Sequence, residues 1–187
     1  LKLMVRHETR TCPAGNTVDW TSGSVGDAHF SQKYGYWEAR YKYIDATSLN
    51  QSFWMNAGHG FEIDVNEGHY PDQINTTLHY QSGGVSKSNS NSTHTNEDMS
   101  KDYHTFSCYW TPQNITYYCD NRQIAQKASY NAQKPVYPIF SLAILSWAGA
   151  IKQEMDGKTM DCEWVRIYTV ERNLSFVTVQ PLALQCN

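Results

Sequence analysis

The stretch FEIDVNEG, Phe61–Gly68, places Glu62, Asp64 and Glu67 among alternating β-forming residues. Side chains of a β-strand alternate between its two faces, so Glu62 and Asp64 share a face, while Glu67, five residues after Glu62, points away from it. A β-bulge at residues 65–66 would return Glu67 to that face, because two bulged residues then oppose a single partner residue. The stretch therefore predicts a strand, and the bulge decides whether the three acids come together.

Length and charge limit the classes of protein to which the chain can belong. Its 187 residues are enough for one well-cored domain, which we place at residues 1–187. The net charge of −3 and the absence of a lysine or arginine cluster argue against nucleic-acid binding. The longest mostly apolar run, Ile139–Leu145, is far too short to span a bilayer. We therefore expect a monomer with no nucleic acid and no membrane span.

Strand signals recur along the chain, separated by turn-forming residues. Eight segments have the composition of strands: Tyr36–Tyr43, Ser52–Asn56, Phe61–Glu67, Ile74–Gln81, His104–Trp110, Ile115–Asp120, Pro138–Leu145 and Cys162–Val170. The polar segment Ser82–Lys101, rich in serine and asparagine, is predicted to be a surface loop. Many short alternating strands without a long helix predict an all-β fold, a sandwich or jelly roll of two packed antiparallel sheets.

The five cysteines have no CxxC spacing, which argues against a zinc site built on thiolates. Cys108 and Cys119 flank residues 111–114, which have the composition of a hairpin turn. The two cysteines are therefore placed opposite each other across two strands, and the sequence leaves open whether they are bonded.

Four segments resemble, in order, the successive signatures of glycoside hydrolase family 16: KYGYWEARYKY (33–43), SFWMNAGHGFEIDVNEG (52–68), YHTFSCYWTPQNITYYCDN (103–121) and CEWVRIY (162–168). The resemblance implies a curved β-jelly roll with an open cleft for a polysaccharide and a retaining, endo-acting hydrolysis. The bulged EIDxxE form of the acidic motif resembles the laminarinase-like and galactanase branches of the family. Members of the family begin with an earlier strand, so the resemblance also suggests a chain truncated at its N-terminus.

The resemblance assigns a role to each of the three acids. It implies that Glu62 is the nucleophile, Glu67 the general acid/base, and Asp64 the residue that holds and tunes Glu62. Crowded acids cannot all ionise easily, because like charges and burial raise a carboxyl pKa, and the acid left protonated can donate its proton. Alternating acids are also typical of a solvated outer face or a calcium site, but the surrounding signatures favour catalysis.

Other residues on the matching strands are predicted to contact the sugar chain. Strand alternation or the resemblance places the following in the cleft: Glu38, Arg40, Trp54, Asn56, His79, Gln81 and Trp147. Trp54 is a candidate stacking platform for a sugar ring, with core packing as its alternative. Arg40 has an ordinary surface charge as its alternative.

The resemblance supplies only part of a calcium site. Family members bind calcium through the earlier strand and an aspartate in the closing strand, where this chain has Glu163. We therefore predict no cofactor and no metal ligands, with a structural calcium ion as the less favoured alternative.

The predicted function is that of a retaining endo-β-glycosidase acting on a polysaccharide, first of all β-1,3- or mixed β-1,3/1,4-glucan. One alternative is a galactan-cleaving enzyme, such as an agarase, porphyranase, carrageenase or mucin-type enzyme. Another alternative is a non-catalytic carbohydrate-binding module. The predicted location is secreted, periplasmic or cell-surface. The chain starts at Leu1 without a basic-plus-apolar leader, so either a signal peptide has been removed or the sequence begins inside a longer protein.

Overall fold

A computed structural model describes residues 1–170 and the strand at 179–183. Its strands, in chain order, are β1 (Lys2–Met4), β2 (Arg6–Thr11), β3 (Thr17–Thr21), β4 (Ser24–Gly26), β5 (Gly35–Lys42), β6 (Leu49–Asn56), β7 (Phe61–His69), β8 (Gln73–Ser82), β9 (Val85–His94), β10 (His104–Trp110), β11 (Asn114–Cys119), β12 (Arg122–Ala128), β13 (Tyr137–Ile144), β14 (Thr159–Val170) and β15 (Val179–Ala183). Two short 3₁₀ helices lie at Ser146–Ala148 and Gln153–Met155. Over the described residues, no helix has the length and apolar character to cross a membrane.

The strands form two large antiparallel sheets and one small one. One large sheet has the order β1-β14-β5-β10-β11-β12, with β15 also paired to β14, and the other has the order β4-β13-β6-β7-β8-β9. The hairpin β2-β3 stands as a two-stranded sheet. The all-β fold of two antiparallel sheets predicted from the sequence is confirmed.

Aromatic side chains from both large sheets fill the core between them. Trp37 of β5 and Trp110 of β10 are fully buried, as is Phe53 of β6 in the other sheet. Tyr41 of β5 meets Phe140 of β13 edge to face, with ring centroids 5.7 Å apart. The core thus fixes how the two sheets lie against each other, and it leaves the outer face of each sheet available for polar side chains.

One predicted loop is a strand. Residues 85–94 pair with β8 over its whole length, from Ser82 opposite Val85 to Gln73 opposite His94. Gly83 and Gly84, both with positive φ, form the two-residue turn between the strands. β9 is polar because it is an edge strand with little to bury, so it lacks the apolar alternation by which strands are usually found.

The placement of two cysteines also differs from the prediction. The β10–β11 hairpin closes with Thr111 opposite Asn114, and this register puts Cys108 opposite Tyr117 and Cys119 opposite Phe106. The two cysteines therefore do not face each other, and both thiols are buried and free. Cys186 lies outside the described residues.

Candidate active site

The bulge anticipated in the acidic stretch is present in β7. On the β8 side, Asp64 pairs with Thr77 and Glu67 with Asn75, so two residues of β7 oppose one residue of β8. The register between β6 and β7 shifts at the same point. The extra residue of β7, at positions 65–66, returns the side chain of Glu67 to the face that Glu62 and Asp64 share. All three acids of the stretch consequently lie on the outer face of the sheet.

The bulge is held from the core side by Tyr41 of β5 and by Tyr43, which follows that strand. Asn66 is fully buried, and its Nδ2 donates hydrogen bonds to the hydroxyl groups of Tyr41, at 2.5 Å, and Tyr43, at 2.9 Å. Gly68 leaves room for Tyr43, because a Cβ at position 68 would lie 2.2 Å from the Tyr43 ring. Two tyrosines of the KYGYWEARYKY segment therefore stabilise the bulge that exposes Glu67.

Asp64 is the most buried of the three acids, with 3% of its surface exposed. Its pKa is raised to about 7, chiefly by burial and in addition by the charges of Glu67 and Glu62, while the contact with His79 opposes the rise. Nε2 of His79 lies 3.3 Å from Oδ2 of Asp64, and this contact raises the pKa of His79. Crowding was expected to leave Glu67 protonated, whereas the raised carboxyl pKa is found at Asp64.

Each of the two glutamates has one carboxylate oxygen held by an asparagine of β6. Nδ2 of Asn56 donates to Oε2 of Glu62 at 2.6 Å, and Nδ2 of Asn50 donates to Oε1 of Glu67 at 2.9 Å. This arrangement orients two separate carboxylates, one at either side of Asp64.

Four predicted cleft residues besides Asn56 lie on the same face as the acids or at its margin. Trp54 pairs with Asp64, and its indole Nε1 donates to Oγ of Ser141 on β13 at 3.0 Å. His79 and Gln81 lie on β8, beside Glu62. The indole of Trp147 is 62% exposed and packs 4.8 Å from the ring of His69, at the end of β7.

The prediction that Glu38 and Arg40 face the cleft is wrong. Both lie on β5, in the other large sheet, where they alternate with core residues and therefore point to the far outer face. The hydroxyl of Tyr168 donates to Glu38 at 3.1 Å, and Arg40 is 2.7 Å from Glu163. The polar residues of this strand therefore lie on the surface opposite the acids.

Sequence reasoning missed several polar residues of this face. Asn50 lies on β6 and donates to Glu67 of β7, so no local pattern marks it. His69 lies two residues after Glu67 on β7, where strand alternation was a usable signal. Four serines of β9 share the outer face with Gln81 and His79: Ser86, Ser88, Ser90 and Ser92. Their strict alternation in SKSNSNS was a usable signal once β9 is read as a strand.

We expect Asp64→Asn to stabilise the fold at neutral and alkaline pH. Because the pKa of Asp64 is about 7 in the folded protein and about 4 when unfolded, the unfolded state loses its proton first as pH rises. The wild type therefore loses stability between about pH 4 and pH 7. Urea unfolding should show Asp64→Asn more stable by about 1–3 kcal/mol at about pH 8, and nearly equal to the wild type at about pH 4. A difference that does not change with pH would contradict the buried, ionising carboxyl.

One group of side chains could hold a cation. Ligand atoms of Glu62, Asp64 and His79 all lie within 4.8 Å of one another. Glu163, which stands where the family resemblance places a calcium ligand, is instead engaged by Arg40.

Comparison with known proteins places this arrangement in a family. Residues 4–166 match the profile described as Glycosyl hydrolases family 16. The chain is 28% identical over 164 residues to the endo-1,3-1,4-beta-glycanase ExsH of Rhizobium meliloti (strain 1021), an alignment that covers 83% of this chain and 35% of the relative. The chain thus spans about a third of the length of the curated relatives it matches.

Two solved structures have a similar fold. The laminarinase catalytic domain from Thermotoga maritima superposes with a TM-score of 0.76 at 23% identity, covering 91% of this chain and 78% of that one. The kappa-carrageenase from Pseudoalteromonas carrageenovora superposes with a TM-score of 0.74 at 20% identity, covering 89% and 79%. At these identities the likeness shows the fold alone, which is the β-jelly roll implied by the sequence signatures.

Proposed function

The chain belongs to glycosyl hydrolases family 16, and on that premise we propose that it is a retaining endo-β-glycosidase. The observation that carries the proposal is the bulge in β7, which puts Glu62, Asp64 and Glu67 on one outer face. Retaining hydrolysis uses two carboxyl groups about 5–5.5 Å apart, one as nucleophile and one as acid/base. Glu62 and Glu67, at either side of Asp64, are the pair that we assign to these roles.

In the first step, Glu62 attacks the anomeric carbon with Oε1, the oxygen that Asn56 does not hold. Glu67 donates a proton to the glycosidic oxygen as the bond to the leaving sugar breaks. An ester between Glu62 and the sugar results. Asp64, with its raised pKa, limits the negative charge beside Glu62 at mildly acidic pH.

In the second step, Glu67 acts as a base. It removes a proton from a water molecule, whose oxygen attacks the anomeric carbon, and the ester to Glu62 breaks. The loss of charge on Glu62 in the ester favours ionisation of its neighbours. The hydrogen bond from Asn50 keeps the Glu67 carboxylate in place through both steps.

We propose β-1,3- or mixed β-1,3/1,4-glucan as the substrate. The relatives ExsH and EglC are both named endo-1,3-1,4-beta-glycanases, which supports a glucan over a galactan. Trp54 offers an indole face beside Asp64 for stacking on a sugar ring. We also propose that the protein acts as a monomer outside the cytoplasm, secreted or in the periplasm or at the cell surface, because polymeric glucan is found there.

A screen for released reducing ends tests this function. Wild type and Glu62→Gln are incubated with laminarin, barley β-glucan, agarose, porphyran, carrageenan and mucin. Product from laminarin or barley β-glucan, absent with the variant, supports the proposal. Product from a galactan or mucin alone favours the galactan-cleaving alternative. No product, combined with retardation of the protein in a polysaccharide-containing gel, favours a binding module.

Asn56→Ala is expected to lower kcat about 10- to 100-fold with little change in KM. Asn56 positions Glu62 by a 2.6 Å hydrogen bond, and loss of that bond lets the nucleophile leave its attacking geometry. Steady-state kinetics on the substrate found in the screen measure both constants, and a melting temperature near that of the wild type excludes a folding defect. A change confined to KM would mean that Asn56 contacts the sugar and does not position Glu62.

A further inference from the structure

We propose that Glu62, Asp64 and His79 form a binding site for Zn²⁺, and that Zn²⁺ bound there excludes the polysaccharide from the cleft. The three residues come from two adjacent strands and converge on one point of the outer face. Glu62 and Asp64 alternate on β7, and His79 lies directly opposite Glu62 on β8. This inference goes beyond the proposed hydrolysis, because binding of the ion requires no turnover.

The spacing of the ligand atoms suits a zinc ion. Zn²⁺ binds imidazole nitrogen and carboxylate oxygen at about 2.0–2.2 Å in a tetrahedron, so neighbouring ligand atoms are about 3.4 Å apart. Nε2 of His79 and Oδ2 of Asp64 already lie 3.3 Å apart. The ligand atoms of all three residues lie within 4.8 Å of one another. Movement of at most about 1.4 Å therefore completes the set of three ligands.

Two of the three side chains can make the small movement that brings all three ligand atoms to one ion. Asp64 is buried and fixed, whereas the side chain of His79 is 49% exposed and can turn. Glu62 is half-buried, and Asn56 holds only its Oε2. A fixed carboxylate with two adjustable partners can adapt to an ion of small radius.

The environment of the Asp64 carboxylate is a second observation that indicates a bound cation. Its Oδ2 is buried and accepts no well-directed hydrogen bond among the described residues. A buried carboxylate oxygen whose one polar contact is poorly directed is costly, and that contact, with Nε2 of His79 at 3.3 Å, shows that the oxygen points into the cluster. A cation between the two groups would compensate the carboxylate directly.

The cleft has room for the remaining coordination position. A cavity of about 300 Å³ opens beside the cluster, lined in part by Glu62, His79 and Gln81. Water can occupy the fourth position of the ion from this side. An ion in this position would bind the proposed nucleophile and stand where a sugar ring must approach it.

The ligand types select the metal. Imidazole with carboxylates favours Zn²⁺ and neighbouring transition metals, whereas Ca²⁺ and Mg²⁺ prefer sets made of oxygen alone. We therefore expect Zn²⁺ and Co²⁺ to bind, and Ca²⁺ and Mg²⁺ at equal concentration to leave the site empty.

Isothermal titration of the metal-free protein with ZnCl₂ at about pH 8 tests the site, because a mildly alkaline pH favours the neutral imidazole that binds a metal ion. The wild type should bind one Zn²⁺, and His79→Gln and Asp64→Asn should each weaken binding about 10- to 100-fold. Melting curves of both variants check that the fold is retained. The visible spectrum of the Co²⁺ complex should show nitrogen and oxygen ligands without a thiolate band.

A matched control is available in His94, whose Nδ1 lies 3.1 Å from Oδ1 of Asp72 in an exposed pair to which no described residue adds a third ligand. His94→Gln should bind Zn²⁺ as the wild type does. Unchanged binding in His79→Gln, or a thiolate band that points to Cys12, would overturn the proposal. In kinetic assays Zn²⁺ should compete with the polysaccharide. Binding that leaves turnover untouched would overturn the claim of exclusion, whether or not the assigned substrate is right.

Discussion

Glu62→Gln is expected to reduce turnover by about 10⁴-fold or more while the protein still binds its glycan. Glutamine has nearly the same shape as glutamate, and its amide group can keep a hydrogen bond to Asn56. It lacks the negatively charged oxygen that must bond to the anomeric carbon, so the ester intermediate cannot form. Release of reducing ends measures the loss, and retardation in a gel that contains the polysaccharide measures binding.

Glu163→Gln provides a matched control for this result. The substitution removes the same charge from the outer face of the other sheet, where Glu163 pairs with Arg40. A partly exposed pair of this kind contributes little to stability, so activity should stay near the wild-type level. Normal turnover by Glu62→Gln would contradict the assignment of Glu62 as the nucleophile. Equal losses of activity in Glu62→Gln and Glu163→Gln would indicate an effect of charge on the whole protein.

Glu67→Ala should lose about 10²- to 10⁴-fold in activity on a polysaccharide, because the leaving sugar needs a proton from the general acid. Azide should restore part of the rate on an aryl glycoside whose leaving group departs without protonation. In that reaction a bond forms between azide and the anomeric carbon while the ester to Glu62 breaks. The space left by the missing side chain admits the small anion, which needs no general base.

The products distinguish this rescue from a nonspecific salt effect. Mass spectrometry should detect a glycosyl azide with Glu67→Ala and none with Glu62→Gln, since only the former makes the ester. Sodium chloride at the same concentration should give no acceleration. A Glu67→Ala variant that keeps wild-type activity on polysaccharide would show that the acid/base is another residue.

The sequence allowed most of the strands to be located, because they bury one face each. β7 and β10 begin where alternation predicted, and β10 also ends there. β9 was not found because it is an edge strand whose half-buried positions, Asn89, Asn91 and Thr93, are polar, so it has no apolar alternation. The sequence feature that indicates β9 is the Gly83-Gly84 pair, which is typical of a two-residue hairpin turn.

The sheet that each strand joins could not be predicted from the sequence of that strand. The alternation in β5 correctly separates Glu38 and Arg40 from the core residues around them. It does not tell on which side of the sandwich that outer face lies, because pairing partners are set by contacts between distant segments. The two residues were consequently assigned to the cleft, although a core of aromatic side chains separates them from it.

In the acidic stretch Phe61–Gly68, the sequence determined one part of the arrangement and the tertiary structure the other. Its spacing alone determined that Glu62 and Asp64 share a face and that Glu67 can join them only through an inserted residue. Tertiary structure decided that the bulge forms, since the buried amide of Asn66 is bound by Tyr41 of the opposite sheet and by Tyr43, which follows the same strand. It also decided that the raised carboxyl pKa falls on Asp64, because the degree of burial depends on neighbouring strands and side chains, which the spacing of residues along one strand does not specify.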